Sequence, residues 1–291
     1  IISTEEPDQI LAVRKDSPLV VGLGQGENFI ASDIPSLLKH TKQVYYLNDK
    51  EIVVLTKDQV AIYNMNKEPI QKEVSEIHWD ISAAEKGGYE HFMFKEIMEQ
   101  PQSLLNTIQP RLKHGQIILD DFHLTKEKLQ SFHKIYIVGC GSAYHVGVVG
   151  KYIIEKLTRI PVEIDLASEF RYRDPIIDEH TLMIIISQSG ETADTKAALL
   201  EGKRQGAHIL SIVNVLGSSI ANASDDVLYT WAGPEIAVAT TKAYSTQLSV
   251  IYLLAIKMAA LLGTITPEQT QQYIAELSTL PDKVKQALDN K

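Results

Sequence analysis

Six consecutive residues hold the most chemically suggestive spacing in this sequence: Ser187, Gln188, Ser189, Gly190, Glu191 and Thr192. They follow an unbroken apolar run at 182–186 and precede a helical pattern at 192–205. A loop in that position presents backbone N–H groups at a helix N-terminus, where the helix dipole adds partial positive charge. Ser187, Ser189 and Thr192 supply O–H donors, and Gly190 lets the backbone approach a ligand closely. A phosphate monoester suits this donor set, and no lysine is required. Hydroxyls in such places also cap helices, and the loop alone fits that role for Ser189 or Thr192 equally well.

A second loop, Gly139, Cys140, Gly141, Ser142 and Ala143, follows the apolar run at 134–138. Its two glycines begin a dinucleotide fingerprint, but Tyr144 stands where the third glycine belongs, so no nicotinamide cofactor is expected. Cys140, the only cysteine, has two readings, a nucleophile or a small apolar filler, and no sequence feature fixes a base beside it. The nine histidines form no HExxH or other close ligand pattern, and no metal site is expected. Glu169, Asp174 and Asp178 are scattered rather than paired, which gives carboxylate acid–base chemistry no support.

The elements that must position these loops read as alternating strands and helices. Short β-branched or aliphatic runs at 134–138, 162–166, 182–187, 208–213 and 227–230 are interleaved with helical patterns at 143–157, 192–205 and 241–262. This is the signature of an α/β fold with a parallel sheet covered on both faces, and ligands of such sheets bind beyond the carboxyl ends of the strands. Upstream, strands are expected at 10–14, 19–22, 43–47, 51–55 and 59–63, with Asn48, Asp49 and Lys50 as a hairpin turn. That region is β-rich and antiparallel. A polar, aperiodic stretch ending at Gly87 and Gly88 predicts a domain boundary near residue 80. Two helices, 89–99 and 102–113, are expected to be split by Pro101. Residues 267–291 read as a polar helical tail.

Bulk properties narrow the classes. The chain has 291 residues, 44% hydrophobic and 22% charged, and a formal charge of −9. Such a balance argues against nucleic acid or an anionic membrane as partner. The apolar stretch 250–262 is interrupted by Lys257 and is shorter than the ~20 residues of a membrane span, so it reads as a core helix. One cysteine fits a reducing compartment, and a cytoplasmic location is expected. The first residues carry no secretory signal pattern. With no initiator Met, the sequence reads as a piece of something longer.

Several segments together resemble one family. VGCGSAY at 138–144, ASEFRY at 167–172, SQSGETADT at 187–195 and EIAVATTKAY at 235–244 are similar to the first sugar isomerase (SIS) domain of the glutamine:fructose-6-phosphate amidotransferases. SPLVVGLGQGENFIASD at 17–33 resembles the later part of that family's glutaminase domain, and HFMFKEIMEQP at 91–101 the entry to its isomerase half. The resemblance implies a flavodoxin-like SIS fold, preceded by an incomplete β-rich part of an Ntn-type glutaminase fold. The implied divisions are 1–77 for the glutaminase part, 78–88 for a linker, 89–266 for the isomerase half with its SIS core near 126–266, and 267–291 for a helical connection to a second SIS domain.

By the same resemblance, Ser187, Gln188, Ser189 and Thr192 hold a sugar phosphate, Cys140, Gly141 and Ser142 form the neighbouring sugar loop, and Val238 offers a backbone contact. Ser142 stands where threonine is frequent, and Ala143 stands where serine is frequent, which removes one hydroxyl. The implied partners are fructose 6-phosphate or glucosamine 6-phosphate, glutamine at the missing part of the glutaminase, and a second copy in a homodimer. The family's N-terminal cysteine nucleophile and the Schiff-base lysine, glutamate and histidine of its second half match nothing here. No catalytic residue is therefore assigned, and the chain as given is expected to be inactive. The competing reading is a non-catalytic SIS-type module that senses sugar phosphates for a regulatory partner.

Overall fold

The computed structural model describes the chain except for residues 16, 35, 78–85, 120 and 291. Most of the expected 78–88 linker lies outside the described residues. The chain divides into two compact units, Ile1–Gly88 and Tyr89–Lys291.

Four-residue strands separated by turn residues make up most of the first unit. They are β1 (Ile10–Val13), β2 (Val20–Leu23), β3 (Asn28–Ala31), β4 (Gln43–Tyr46), β5 (Ile52–Leu55) and β6 (Val60–Tyr63), with the two-residue β7 (Pro69–Ile70) and β8 (Ser75–Glu76). They form two antiparallel sheets, in the orders β1-β5-β6-β7 and β3-β2-β4-β8. Val21, Leu47, Val53, Leu55 and Ile62, drawn from both sheets, share one core.

The expected hairpin at Asn48–Lys50 is corrected by this topology, because β4 and β5 belong to different sheets. The buried Glu51 explains the corner. Its carboxylate accepts from the backbone N–H of Asn48 at 2.6 Å and from Asn48 Nδ2 at 3.1 Å, and it pairs with Lys72 at 2.7 Å. A side chain thus satisfies the turn, and no ladder between β4 and β5 is needed.

The second unit opens with α1 (Phe92–Ile108), a single helix that contains Pro101. The expected break at that proline does not occur. Pro101 has no N–H to give to the carbonyl of Ile97, and the Gln100 side chain donates to that oxygen instead, at 3.2 Å. The helix also ends earlier than expected. A 3-10 turn leads into a small hairpin of β9 (Leu112–Lys113) and β10 (Gln116–Ile117).

Then follow α2 (Lys126–Ser131), β11 (Lys134–Gly139), α3 (Ser142–Thr158), β12 (Val162–Leu166), α4 (Ala167–Phe170), β13 (Thr181–Ser187), α5 (Ala193–Arg204), β14 (His208–Val213), α6 (Ser219–Ala223), β15 (Asp226–Tyr229), α7 (Lys242–Leu262), α8 (Pro267–Ser278) and α9 (Leu280–Asp289).

The five strands β11 to β15 form a fully parallel sheet in the order β12-β11-β13-β14-β15. Numbered from β11, that is the flavodoxin-like order 2-1-3-4-5. Every residue of β13 is buried. Leu182, Ile184 and Ile186 enter one core with residues of α1, α3 and α7, while Met183 and Ile185 enter the other with Phe170, Ala198, Leu199 and Ile220. Each such fully buried side chain contributes ~1.5–3 kcal/mol by leaving water. Helix α7 is long and apolar enough to cross a membrane by length and composition. Here Val250, Leu253, Leu254 and Met258 are fully buried in the first of these cores.

At the amino end of the sheet the buried Asp226 ties three segments together. It accepts from the backbone N–H of His123 at 2.5 Å, faces His123 Nδ1 at 3.0 Å and meets His208 Nε2 at 2.5 Å. Burial opposes its ionisation, but the bonds from His208 and His123 outweigh that and hold its carboxyl below the usual value. A lowered folded pKa stabilises the fold above the unfolded value of ~3.9 and loses that contribution as pH falls through the folded value. We expect Asp226→Ala to cost about 2–4 kcal/mol in urea denaturation at neutral pH. The gap to wild type should shrink below about pH 4, and a gap independent of pH would refute the ionic account.

Candidate functional site

The chain order reverses between β11 and β13: the crossover from β11 leads outward to β12, and the chain then returns to β13 on the other side. Loops leaving two such strands diverge and open a crevice at their carboxyl ends. The loop after β11 carries Cys140 and Gly141 into α3, and the loop after β13 carries Gln188 to Thr192 into α5. Both sequence-selected loops therefore lie side by side.

The β13 loop is built from its own hydroxyls. Gly190 donates its N–H to Ser187 Oγ at 3.0 Å, Glu191 donates its N–H to Ser189 Oγ at 3.2 Å, and the hydroxyls of Ser187 and Thr192 are 3.1 Å apart. Thr192 occupies the N-cap position of α5 yet makes no side-chain bond to the first turn, so capping does not account for its hydroxyl. The neighbouring loop braces the outer side. Asn214 N–H donates to Gln188 O and Ile220 N–H to Gly190 O, both at 3.0 Å, while Ser219 N–H donates to Glu191 Oε1 at 2.7 Å. Gly190 has φ +66°, and a Cβ there would lie 2.0 Å from Ser218 Oγ.

A third wall comes from the segment before α7. Val238 is fully exposed on it. Glu235 fixes its far end, with Oε1 accepting from the N–H groups of Thr241 at 2.9 Å and Ala243 at 3.2 Å. Glu96, buried on α1, fixes its near end by accepting from the N–H groups of Ile236 at 2.6 Å and Ala237 at 3.2 Å. The other oxygen of Glu96 is buried with no partner among the described residues. Burial raises the Glu96 carboxyl above its usual value, against the opposing pull of the two backbone bonds.

These walls enclose an open cavity of about 210 Å3. Cys140, Ser142, Ser187, Gln188, Ser189, Thr192 and Val238 all line it, and Gly141 does not. With φ +56°, Gly141 instead sets the turn into α3. The sequence reading missed Thr195, Thr240 and Gln247, which also line the cavity. Thr195 and Gln247 lie inside helices, where pattern signals packing, but their polar character at the first two turns was a usable clue. Among the described residues no lysine or arginine lines the cavity, so an anion here would rely on hydroxyls and backbone donors. Cys140 Sγ accepts from Thr195 Oγ1 at 3.7 Å, a neutral partner.

A larger cavity, about 690 Å3, lies between β10, the end of α7 and the start of α8. Among the described residues Lys257 alone of its lining is charged, and several of its polar groups are already engaged: Gln271 bonds Gly115 O, and Thr264 bonds Leu157 O at 2.6 Å. The smaller cavity is the better site on chemical grounds. Among the described residues, no group of three or more His, Cys, Asp or Glu is arranged to hold a metal ion.

Comparison with known proteins places these features in context. Residues 128–257 match the family described as SIS domain. The chain is 58% identical over its whole length to glutamine–fructose-6-phosphate aminotransferase [isomerizing] from Clostridium acetobutylicum, and 44% identical to the enzyme of that name from Methanosarcina acetivorans. It spans about half the length of these curated relatives, 48% and 47%. Among solved structures, the C-terminal domain of glucosamine-fructose-6-phosphate aminotransferase from Francisella tularensis aligns at TM-score 0.65 and 42% identity, over 68% of this chain and 56% of that one. Tagatose-6-phosphate ketose/aldose isomerase from Escherichia coli shares the fold alone, at TM-score 0.51 and 15% identity over 69% and 54% of the two chains.

Two outcomes follow from the walls. Gly190→Ala should lower stability by about 2 kcal/mol through its positive φ and the clash with Ser218, as read by chemical denaturation; a neutral result would contradict the loop geometry. Glu96→Ala should speed hydrogen exchange at the Ile236 and Ala237 amides by about tenfold, whereas Glu96→Gln, which keeps an acceptor, should protect them. Because the folded pKa is raised, the protonated carboxyl favours the fold and that benefit is lost as pH rises through the folded value. The glutamine variant should accordingly be at least as stable as wild type at neutral pH.

Proposed function

We propose, from a SIS domain at residues 128–257 in a chain related throughout to the glutamine–fructose-6-phosphate aminotransferases, that the cavity beside β13 binds a hexose 6-phosphate by its phosphate. The observation that carries this reading is the Thr192 hydroxyl. It sits at the N-cap of α5 without serving the helix, and beside the Ser187 hydroxyl. Dipole, amides and three hydroxyls together form a donor array for a phosphate dianion. Ser187, Gln188, Ser189 and Thr192 would grip the phosphate, while Cys140, Ser142 and the backbone at Val238 would face the sugar. Gly141 serves by shaping the turn.

The reaction to which this site belongs is then the conversion of fructose 6-phosphate to glucosamine 6-phosphate, with glutamine as nitrogen donor and a ketose–aldose isomerisation. The part played by these residues is binding, and none of them is assigned a catalytic role. We read residues 1–77, whose two antiparallel sheets share a core, as the later part of an Ntn-type glutaminase domain. Residues 89–266 are the isomerase half, and 267–291 lead toward a second SIS domain. A homodimer in the cytoplasm completes the reading.

Isothermal titration with fructose 6-phosphate tests the phosphate assignment. Ser189→Ala and Thr192→Ala should each weaken binding about tenfold, the effect of losing a hydrogen bond to a charged group. Affinity equal to wild type in both variants would sink the proposal.

A further inference from the structure

Helix α7 buries four polar side chains in its first two turns, and three of them have partners inside the protein. Lys242 Nζ donates to Glu99 at 2.7 Å, Thr246 Oγ1 to Ala243 O at 3.0 Å, and Ser249 Oγ to Ser245 O at 3.0 Å. The fourth is Gln247. It is only 3% exposed, lines the cavity, and has no hydrogen-bond partner among the described residues.

The rest of Gln247 is buried, so the little of it that stays accessible, its amide included, faces the space where a ligand would sit. An amide also carries a donor and an acceptor on one planar group. A phosphate dianion can use only the donor, because its oxygens accept. A sugar hydroxyl, which both gives and receives, can use both ends. We infer that Gln247 is a substrate-contacting, specificity-determining residue that hydrogen-bonds the polyol part of the sugar, while the β13 loop holds the phosphate. This assignment rests on the hexose 6-phosphate reading above and adds to it a residue of the cavity lining.

The test compares Gln247→Leu and Gln247→Met with wild type in the 291-residue chain, using fructose 6-phosphate and, as a phosphate monoester with few hydroxyls, glycerol 3-phosphate. Both variants should bind fructose 6-phosphate about tenfold more weakly. Glycerol 3-phosphate affinity should stay within about twofold, since the phosphate contacts are untouched. Thermal stability should be unchanged or higher, because an apolar side chain of similar volume replaces an unpartnered polar one. Unchanged fructose 6-phosphate affinity in both variants would overturn the role of Gln247 and leave the phosphate site standing. So would a parallel loss of both ligands with a lowered melting temperature, the mark of a purely structural residue. A wild-type chain that binds neither ligand would overturn the phosphate site, and this assignment with it.

Discussion

The seven residues of β13 can leave water only if both faces of the sheet are covered, and parallel strands can be joined only by crossovers. With β11 and β13 adjacent and their crossovers leading to opposite sides, α3 and α5 lie on opposite faces. The crevice between their first turns is thus a result of burying Leu182 to Ile186. Catalytic or binding residues placed there inherit a rigid foundation, because each strand beneath them is held by two neighbours or by one neighbour and a helix layer.

The cavity has a less regular wall as well, and α1 determines it. Ser103 Oγ and Thr107 Oγ1 donate to the carbonyls of Ala232 and Thr230, and Arg111 reaches Tyr229 O. Two turns before Ser103, Glu96 takes the amides of Ile236 and Ala237, and one turn before it Glu99 pairs with Lys95 and Lys242. A helix that contributes no lining atom therefore holds the first part of the approach to α7, from Tyr229 to Ala237, in place. Hydroxyls and a buried carboxylate are the means, and the two backbone donors that converge on Glu96 only partly compensate its desolvation.

The parallel sheet was legible because all-apolar strands alternating with helical patterns have few other solutions, and residues 162–166 and 208–213 are strands at both bounds. The two ligand loops were legible because glycine and hydroxyl residues at strand-to-helix junctions have a physical meaning of their own. What escaped the reading depends on partners distant in sequence. Pro101 breaks a helix unless a neighbour such as Gln100 replaces the lost donor, and Asn48 to Lys50 make a hairpin unless a buried Glu51 satisfies the turn. Thr195 and Gln247 were hidden for the same reason: a polar residue inside a helix reveals its role only when the cavity beside it is known.

The bracing of the β13 loop by the segment around α6 has a consequence for affinity. Asn214, Ser219 and Ile220 fix Gln188, Glu191 and Gly190 through three hydrogen bonds, so the loop is ordered during folding and not at the moment of encounter. A ligand arriving there loses little free energy to rigidifying its receptor. The segment from Asn214 to Ile220, which lines none of the cavity, is therefore a remote determinant of how tightly the cavity holds its occupant.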